Sequence, residues 1–382
     1  MARALRIVFA APAYWPAGAF GGPVPVMRAL ARELTALGHS VDVVTTTLMR
    51  IGERPSRTRS VADVDGATVR YLATPLRFRW FGVTPSLRRE LQVLPRPDVV
   101  HVFGFRDYVS TFASRWCRRN SVPYVFEALG MFRPKLRKVL LKHALDRTIY
   151  RAVPRQAALA IAASQIERRE LAAIVPPERI AVRPNGFPQP YEPPPRPGPL
   201  RRRLRLDART PLVLCVGRVA RGKGLEQLVA ATARLEGVQL AIAGPDDGHG
   251  LTSELLRLRD RLGTTQRVHV LGPVDEPLDL YGDADVLALP SAHENFGMVA
   301  AEGAAAGTAC VVTDRCGVAE FLGGRGAVVI PYDERALEEA LAGLLRDDAL
   351  RAALGRGGRE VALELSWANV ARLQAQLYER VT

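Results

Sequence analysis

The chain has 382 residues, of which 48% are hydrophobic and 24% charged, and it carries a formal net charge of +14. That length exceeds what one hydrophobic core usually organises, so two domains are expected, while no uninterrupted apolar run reaches the ~18 to 20 residues of a membrane-spanning helix. Cys117, Cys215, Cys310 and Cys316 are scattered without a C-x-x-C pair, which argues against zinc and a disulfide framework and fits a reducing cytoplasm.

From the N-terminus, MARALRIVFAAPA has the basic and then apolar order of a signal peptide, but Ile7 to Ala11 is too short for a secretory core. A first β-strand over Leu5 to Pro12 is the better reading. Further strands are predicted at Val41 to Thr47, Val99 to Phe103, Tyr124 to Glu127, Ala158 to Ala163 and Ile180 to Arg183. Between the first two, Met27, Leu30, Leu34 and Leu37 recur at helical spacing and Gly38 supplies a C-cap. Phe187 to Leu200, FPQPYEPPPRPGPL, is too rich in proline for a helix or a central strand. The alternation then restarts with Leu212 to Val216, Leu240 to Ala243, Val268 to Leu271, Val286 to Pro290, Cys310 to Thr313 and Ala327 to Ile330. Short apolar runs alternating with helix-period segments indicate βαβ units and parallel sheets, hence an α/β fold. The boundaries expected are 1–187 for an N-terminal Rossmann-like domain, 188–200 for a linker and 201–366 for a second Rossmann-like domain. A last helix, 367–382, places Trp367, Val370, Leu373 and Leu377 on one face and needs a partner surface, expected on the first domain.

The charge is not spread evenly. Residues 1–190 hold 30 Lys and Arg against 13 Asp and Glu, and the remainder holds 23 against 26. A general preference for arginine at solvated positions competes with an anionic surface or ligand beside the N-terminal half. Two segments favour an anionic membrane. Leu76 to Phe81 interleaves Arg77 and Arg79 with Phe78, Trp80 and Phe81, and Arg133 to Arg155 pairs Lys138 with Lys142 and Arg147 with Arg151. No nucleic-acid reader motif accompanies the charge, so nucleic acid is not expected.

The most specific stretch is PSAHENFGMVAAEGAAAG, Pro290 to Gly307, in which an apolar strand passes through a glycine-containing loop into a helix. Glu294 and Glu302 can accept hydroxyl hydrogen bonds from opposite ends of an elongated ligand. Gly297 permits close backbone approach, and the amides of Phe296, Gly297, Met298 and Val299 lie at a helix N-terminus suited to phosphate oxygens or sugar hydroxyls. A companion stretch, CVGRVARGKGLEQLV, puts Arg218 and Lys223 where a strand gives way to a helix, positions suited to a pyrophosphate.

These stretches, together with AFGGPVPVMRALARELTALGHSV, RPNGF and LYGDADVLALPS, give the chain a resemblance to the retaining glycosyltransferase family 4 of GT-B architecture. The family motif of Glu, any residue, Phe, Gly and, after four more residues, Glu reads here Glu294, Asn295, Phe296, Gly297 and Glu302. The resemblance implies two Rossmann-like parallel-sheet domains facing each other across a cleft and a nucleoside-diphosphate sugar as donor. It further implies that Glu294 meets the donor sugar, Glu302 meets the ribose, and Gly21 and Gly22 form a loop over the donor phosphates. Transfer would be to a saccharide or lipid-linked saccharide, in cell-surface polysaccharide or glycolipid assembly. No cofactor is implied, and no metal is assigned to the D-x-D at Asp283 to Asp285, which directly precedes a buried strand. Related enzymes often carry a His where this chain has Leu129, so His101 or Glu127 is the candidate acceptor-side polar group, with a satisfied strand-end histidine the competing reading of His101. The cysteines and the basic segments lead to an expected cytoplasmic location with peripheral attachment to the inner face of the cell membrane, against the alternative of a soluble acceptor approached by an ordinarily solvated arginine-rich domain.

Three other classes compete. A GT-B epimerase or phosphorylase shares the fold, and a basic membrane- or nucleic-acid-binding protein would explain the charge. A nicotinamide dehydrogenase needs a G-x-G-x-x-G that AGAFGGP does not supply with an acidic residue about 20 positions on.

Overall fold

A computed structural model of the chain describes residues 3–50, 53–54, 56–78, 81–132, 150–274 and 278–382. It divides into two compact units, Met1–Gly186 with Trp367–Thr382, and Phe187–Ser366.

Among the described residues the first unit carries ten strands: β1 (Arg6–Ala11), β2 (Ser40–Thr46), β3 (Ser60–Val64), β4 (Ala67–Leu72), β5 (Leu76–Phe78), β6 (Phe81–Val83), β7 (Val99–Phe103), β8 (Tyr124–Glu127), β9 (Leu159–Ala162) and β10 (Ile180–Val182). Eight form one sheet in the order β10-β9-β8-β7-β1-β2-β4-β3, parallel throughout except for the antiparallel edge strand β3, and β5 pairs with β6 as a separate hairpin. β7 and β8 are buried at every residue, and β1 at all but Arg6. Helices on both faces cover such strands, which is why they read as apolar runs instead of alternating patterns.

β3 to β6 were not expected. β3 is exposed along nearly its whole length and β4 alternates, so neither produces an apolar run. They are joined at Asp65-Gly66, both at positive φ, a two-residue turn suited to a tight hairpin.

The second unit holds β11 (Leu212–Val216), β12 (Gln239–Ala243), β13 (Val268–Gly272), β14 (Val286–Leu289), β15 (Ala309–Thr313) and β16 (Ala327–Ile330). Their order is β13-β12-β11-β14-β15-β16, all parallel. This is the 3-2-1-4-5-6 order of a Rossmann sheet, and the central strands of the first unit repeat it. In each sheet the strand order reverses beside the first strand, between β1 and β7 and between β11 and β14. Ligands of open α/β sheets bind outside the carboxyl ends of strands at such a reversal.

The proline-rich residues 188–200 lie wholly in the second unit, anchored by ion pairs and main-chain bonds. Arg196 pairs with Asp285 at 2.5 Å, and Asp283 accepts from the Gly198 and Leu200 amides at 2.6 and 2.8 Å. The fully buried Arg201 also pairs with Asp285, at 2.9 Å. The chain therefore passes between units at Gly186 and Phe187, and returns at Ser366 and Trp367.

Candidate active site at the strand reversal of the second unit

β11 ends into the loop 217–224 and β14 into the loop 290–297, so the loops on either side of the reversal are those that hold the two sequence motifs. They are joined to each other. Ala292 N–H donates to the Gly222 carbonyl at 2.8 Å, and the Lys223 ammonium forms an ion pair with the Glu294 carboxylate. Gly224, at φ 69, sits so close that a Cβ there would fall 2.0 Å from the Pro290 carbonyl oxygen. Only glycine combines that left-handed backbone with that approach.

Both members of the pair are about a quarter exposed, 28% for Lys223 and 24% for Glu294. Arg218 is exposed and makes no ion pair among the described residues. Glu294 is positioned from behind: its N–H donates to the Arg315 carbonyl at 3.0 Å and its own carbonyl accepts from Gly317 N–H at 3.0 Å.

The helix Met298–Ala305 begins at Gly297, which has no side chain to cap it, so the amides of Met298 and Val299 lie at a helix N-terminus without an N-cap side-chain bond. Gly297 is also required by the packing of the loop itself. A Cβ there would lie 2.8 Å from the Leu289 side chain and 3.1 Å from that of Val318, at φ 107, so internal packing and turn geometry already require glycine. Phe296 is 3% exposed, packs edge-on to Phe187 at 6.1 Å and accepts from Val318 N–H through its carbonyl at 2.7 Å. Its ring is a structural anchor of the loop.

Glu302 lies in the second turn of the same helix and accepts a hydrogen bond from the Tyr281 hydroxyl. Burial pushes the Glu302 carboxyl above its ordinary value, against the lowering effect of that bond. Burial first, and then the Glu302 charge, push the Tyr281 phenol well up. Sequence reasoning missed Tyr281: it stands 21 positions before its partner, and only the packing of Leu278–Tyr281 against Met298–Ala305 brings them together.

The D-x-D carboxylates serve the fold. Asp283 caps the turn into Pro199–Leu204 and Asp285 holds Arg196, Arg201 and the Leu212 amide. Among the described residues no group of three or more His, Cys, Asp or Glu is placed to hold a metal ion.

In the first unit, Gly21 (φ 75) and Gly22 are exposed in the loop between β1 and the helix Pro23–Ala36, beside that sheet's own reversal. A Cβ on either would meet no atom within 4 Å, so close packing does not demand glycine there.

His101 and Glu127, the candidate acceptor-side groups, are 0% and 1% exposed. His101 Nδ1 lies 2.6 Å from the Tyr378 hydroxyl of the last helix and its Nε2 lies 3.3 Å from Glu127, which pairs with the buried Arg183 at 2.6 Å. Burial would raise the Glu127 carboxyl, but the Arg183 charge and His101 together hold it below the ordinary range. Burial lowers the His101 imidazole despite the neighbouring carboxylate. His101 is thus tied through Nδ1 to the last helix and faces Glu127 through Nε2, although that Nε2 and Glu127 Oε2 make no hydrogen bond. Leu129, where a histidine is common in related enzymes, has φ 48 and precedes Gly130 at φ 80. A non-glycine residue in that region carries strain of about 1 to 3 kcal/mol, of the kind that collects at working loops.

The family description "Glycosyl transferase 4-like domain" matches residues 21–186, and "Glycosyl transferases group 1" matches residues 199–361. A D-inositol 3-phosphate glycosyltransferase of Xylanimonas cellulosilytica is 36% identical over 189 residues, 48% of this chain and 45% of that protein. The chain spans about half the length of the curated relatives it matches. Among solved structures, a sucrose-phosphate synthase of Thermosynechococcus elongatus superposes with a TM-score of 0.77 at 24% identity, covering 98% of both chains. An Anabaena protein, HepE, in complex with UDP-glucose superposes at 0.75 and 18% identity, covering 98% of this chain and 100% of that one. These likenesses show the fold, the two Rossmann-like domains of GT-B architecture. With one family match on each unit, and with the motif residues of the second gathered at its strand reversal, the chain belongs to the group 1 glycosyltransferases.

Proposed function

We propose that the chain is a retaining glycosyltransferase that moves a sugar from a nucleoside-diphosphate sugar to a saccharide or lipid-linked saccharide acceptor. The observation that carries the reading is the Lys223–Glu294 pair at the reversal of the second sheet, with uncapped helix amides and the Tyr281-held Glu302 in the same element. A cation and a hydroxyl acceptor side by side suit the junction of a phosphate with a sugar, and Glu302 suits the ribose. The UDP-glucose bound by the Anabaena neighbour supports a donor of this class.

As the sugar–phosphate bond loosens, positive charge develops at the anomeric carbon and negative charge on the departing diphosphate. Arg218, Lys223 and the first-turn amides stabilise the leaving group, and one such preorganised donor is typically worth about 3 to 4 kcal/mol. The diphosphate oxygen takes the acceptor hydroxyl proton on the face it leaves, so configuration is retained. No side-chain nucleophile is required, and the reading assigns no metal.

The basic N-terminal half supports peripheral attachment to an anionic membrane at the cytoplasmic face, where a lipid-linked acceptor is presented; Arg79, Trp80 and residues 133–149 of the two motivating segments lie outside the described residues. No described helix is long and apolar enough to cross a membrane. The deciding experiment screens UDP-, GDP- and ADP-sugars for release of nucleoside diphosphate with and without candidate acceptors. Release that depends on acceptor supports the transferase. Acceptor-independent epimerisation, or sugar-phosphate formation from phosphate, would replace it with the epimerase or phosphorylase reading.

A further inference from the structure

On the first unit, the helices Leu87–Val93 and Tyr108–Arg119 flank a groove of about 450 Å³ that the donor chemistry does not use. Its lining combines apolar Leu91, Phe112 and Trp116 with the guanidinium groups of Arg88, Arg115 and Arg119, and includes no carboxylate. The combination follows from helical spacing: Tyr108, Phe112, Arg115, Trp116 and Arg119 fall along one stripe of their helix. Tyr108 and Phe112 stack at 4.2 Å, and Arg115 lies over the Phe112 ring at 5.6 Å.

The three arginines are exposed and none is paired with a carboxylate among the described residues. The Trp116 indole N–H is buried and donates to no acceptor. Exposed apolar side chains lie on the same helices and on the hairpin next to them: Phe112 at 42%, Val93 at 64%, and Leu76 and Phe78 at 66% and 76%. β6 of that hairpin packs against Tyr108–Arg119. A soluble protein seldom exposes apolar groups together in this way unless they meet a partner.

We infer that this groove seats the headgroup and upper acyl chain of an anionic phospholipid and so fixes how the first unit meets the membrane. The guanidiniums and the indole N–H hold the phosphate, while Phe112, Val93, Leu76 and Phe78 enter the boundary between headgroups and acyl chains. Unpaired cations select an anionic occupant, and the apolar lining distinguishes a lipid from a free anion. The inference rests on the reading of the chain as a membrane-attached transferase and names the lipid class and the face involved.

The test is flotation of the full chain with phosphatidylcholine vesicles, with and without phosphatidylglycerol, at low and high salt. At about 1 kcal/mol per basic residue near an anionic leaflet, Arg88→Ala/Arg115→Ala/Arg119→Ala weakens binding roughly 100-fold. Phe112→Ser weakens it while leaving the salt dependence in place. The triple arginine variant keeps the wild-type circular dichroism and melting temperature because its side chains are exposed, and Phe112→Ser, which gives up the Tyr108 stack, keeps the circular dichroism with a slightly lower melting temperature. Wild-type flotation of the triple variant, or no flotation of the wild type with either vesicle, overturns the inference. So does saturable binding of inorganic phosphate or glycerol phosphate that the triple substitution abolishes without any vesicle binding, which makes this a soluble-anion site. A change of oligomeric state on substitution, with vesicle binding unaltered, makes the groove an interface between copies and equally overturns it. Nucleoside-diphosphate binding, measured by calorimetry on the same samples, separates the two readings. Flotation can fail with donor binding intact, and donor binding can fail with flotation intact.

Discussion

Replacing Tyr281 with Phe tests the proposed nucleotide end of the site with the smallest possible change. It deletes one hydroxyl whose only described bond is to the Glu302 carboxylate. A hydrogen bond to a charged group contributes roughly 1.5 to 3 kcal/mol, and Glu302 is partly exposed, so water recovers some of it. A net loss of about 1 to 2 kcal/mol is expected. For a unit of this size that lowers the melting temperature by about 2 to 8 °C. If Glu302 meets the ribose, the same loss of orientation weakens nucleotide binding roughly 5- to 30-fold.

The pH dependence supplies an independent sign. Burial raises the native Glu302 carboxyl above its unfolded value. Its contribution to stability is therefore full below the ordinary carboxylate range and is lost as pH rises through the raised native value. Ribose hydroxyls donate to the ionised form, so nucleotide affinity has an acid limb that falls as pH drops through that value. Without the Tyr281 hydroxyl the carboxyl is raised further, and the acid limb moves to higher pH. Calorimetry with UDP, GDP and ADP across this range, together with thermal melts, reads both effects. An unchanged melt with an unchanged acid limb refutes the assignment of Tyr281 as the group that holds Glu302 for the nucleotide.

Glu294→Gln should nearly abolish transfer while costing no more than about 1 kcal/mol of stability, because its pair with Lys223 is partly exposed; wild-type turnover of the purified variant contradicts the sugar contact. Gly224→Ala should destabilise the second unit by about 2 to 4 kcal/mol, from its left-handed backbone and the 2.0 Å approach to Pro290. Gly22→Ala, with φ −48 and open space around the new Cβ, should leave the urea midpoint unchanged, and equal midpoints for the two alanine variants would show that the loop contact is not structural. Arg183→Ala strands a buried Glu127 and should cost about 3 to 5 kcal/mol. Combining Arg183→Met with Glu127→Gln should recover most of that, and a single variant as stable as wild type in urea would show that the buried pair does not support the last helix.

The sequence reveals those parts of the fold whose cause is local. Val99–Phe103 and Leu212–Val216 are strands with the expected bounds because a parallel strand buried on both faces is predominantly apolar, His101 being the polar exception in the first. β3 and β4 escaped because an exposed edge and an alternating neighbour leave no such run, although Asp65-Gly66 marks their turn. In the candidate site, Lys223 and Glu294 stand out in sequence because they sit in loops directly after apolar strands, and Glu302 because it follows in the helix that one of those loops enters. What the spacing cannot show is long-range pairing. Nothing along the chain ties Lys223 to Glu294, 71 positions away, or His101 to Tyr378 across 277. His101 and Glu127 show the same limit, because a polar residue at a strand end reads the same whether it faces a ligand or a buried partner.

The Lys223–Glu294 pair also bears on selectivity. Each charge of the pair already has a counterpart, so any occupant must exchange one bond for another. An inorganic diphosphate can draw Lys223 away but leaves Glu294 without its cation. A free monosaccharide can offer hydroxyls to Glu294 but gives Lys223 no anion. Only a molecule that carries a phosphate and a hydroxylated ring within one bond of each other can compensate both partners at once. On that reading the pair acts as a filter against fragments, and the affinity of the intact donor should exceed what the separate affinities of its two halves would indicate.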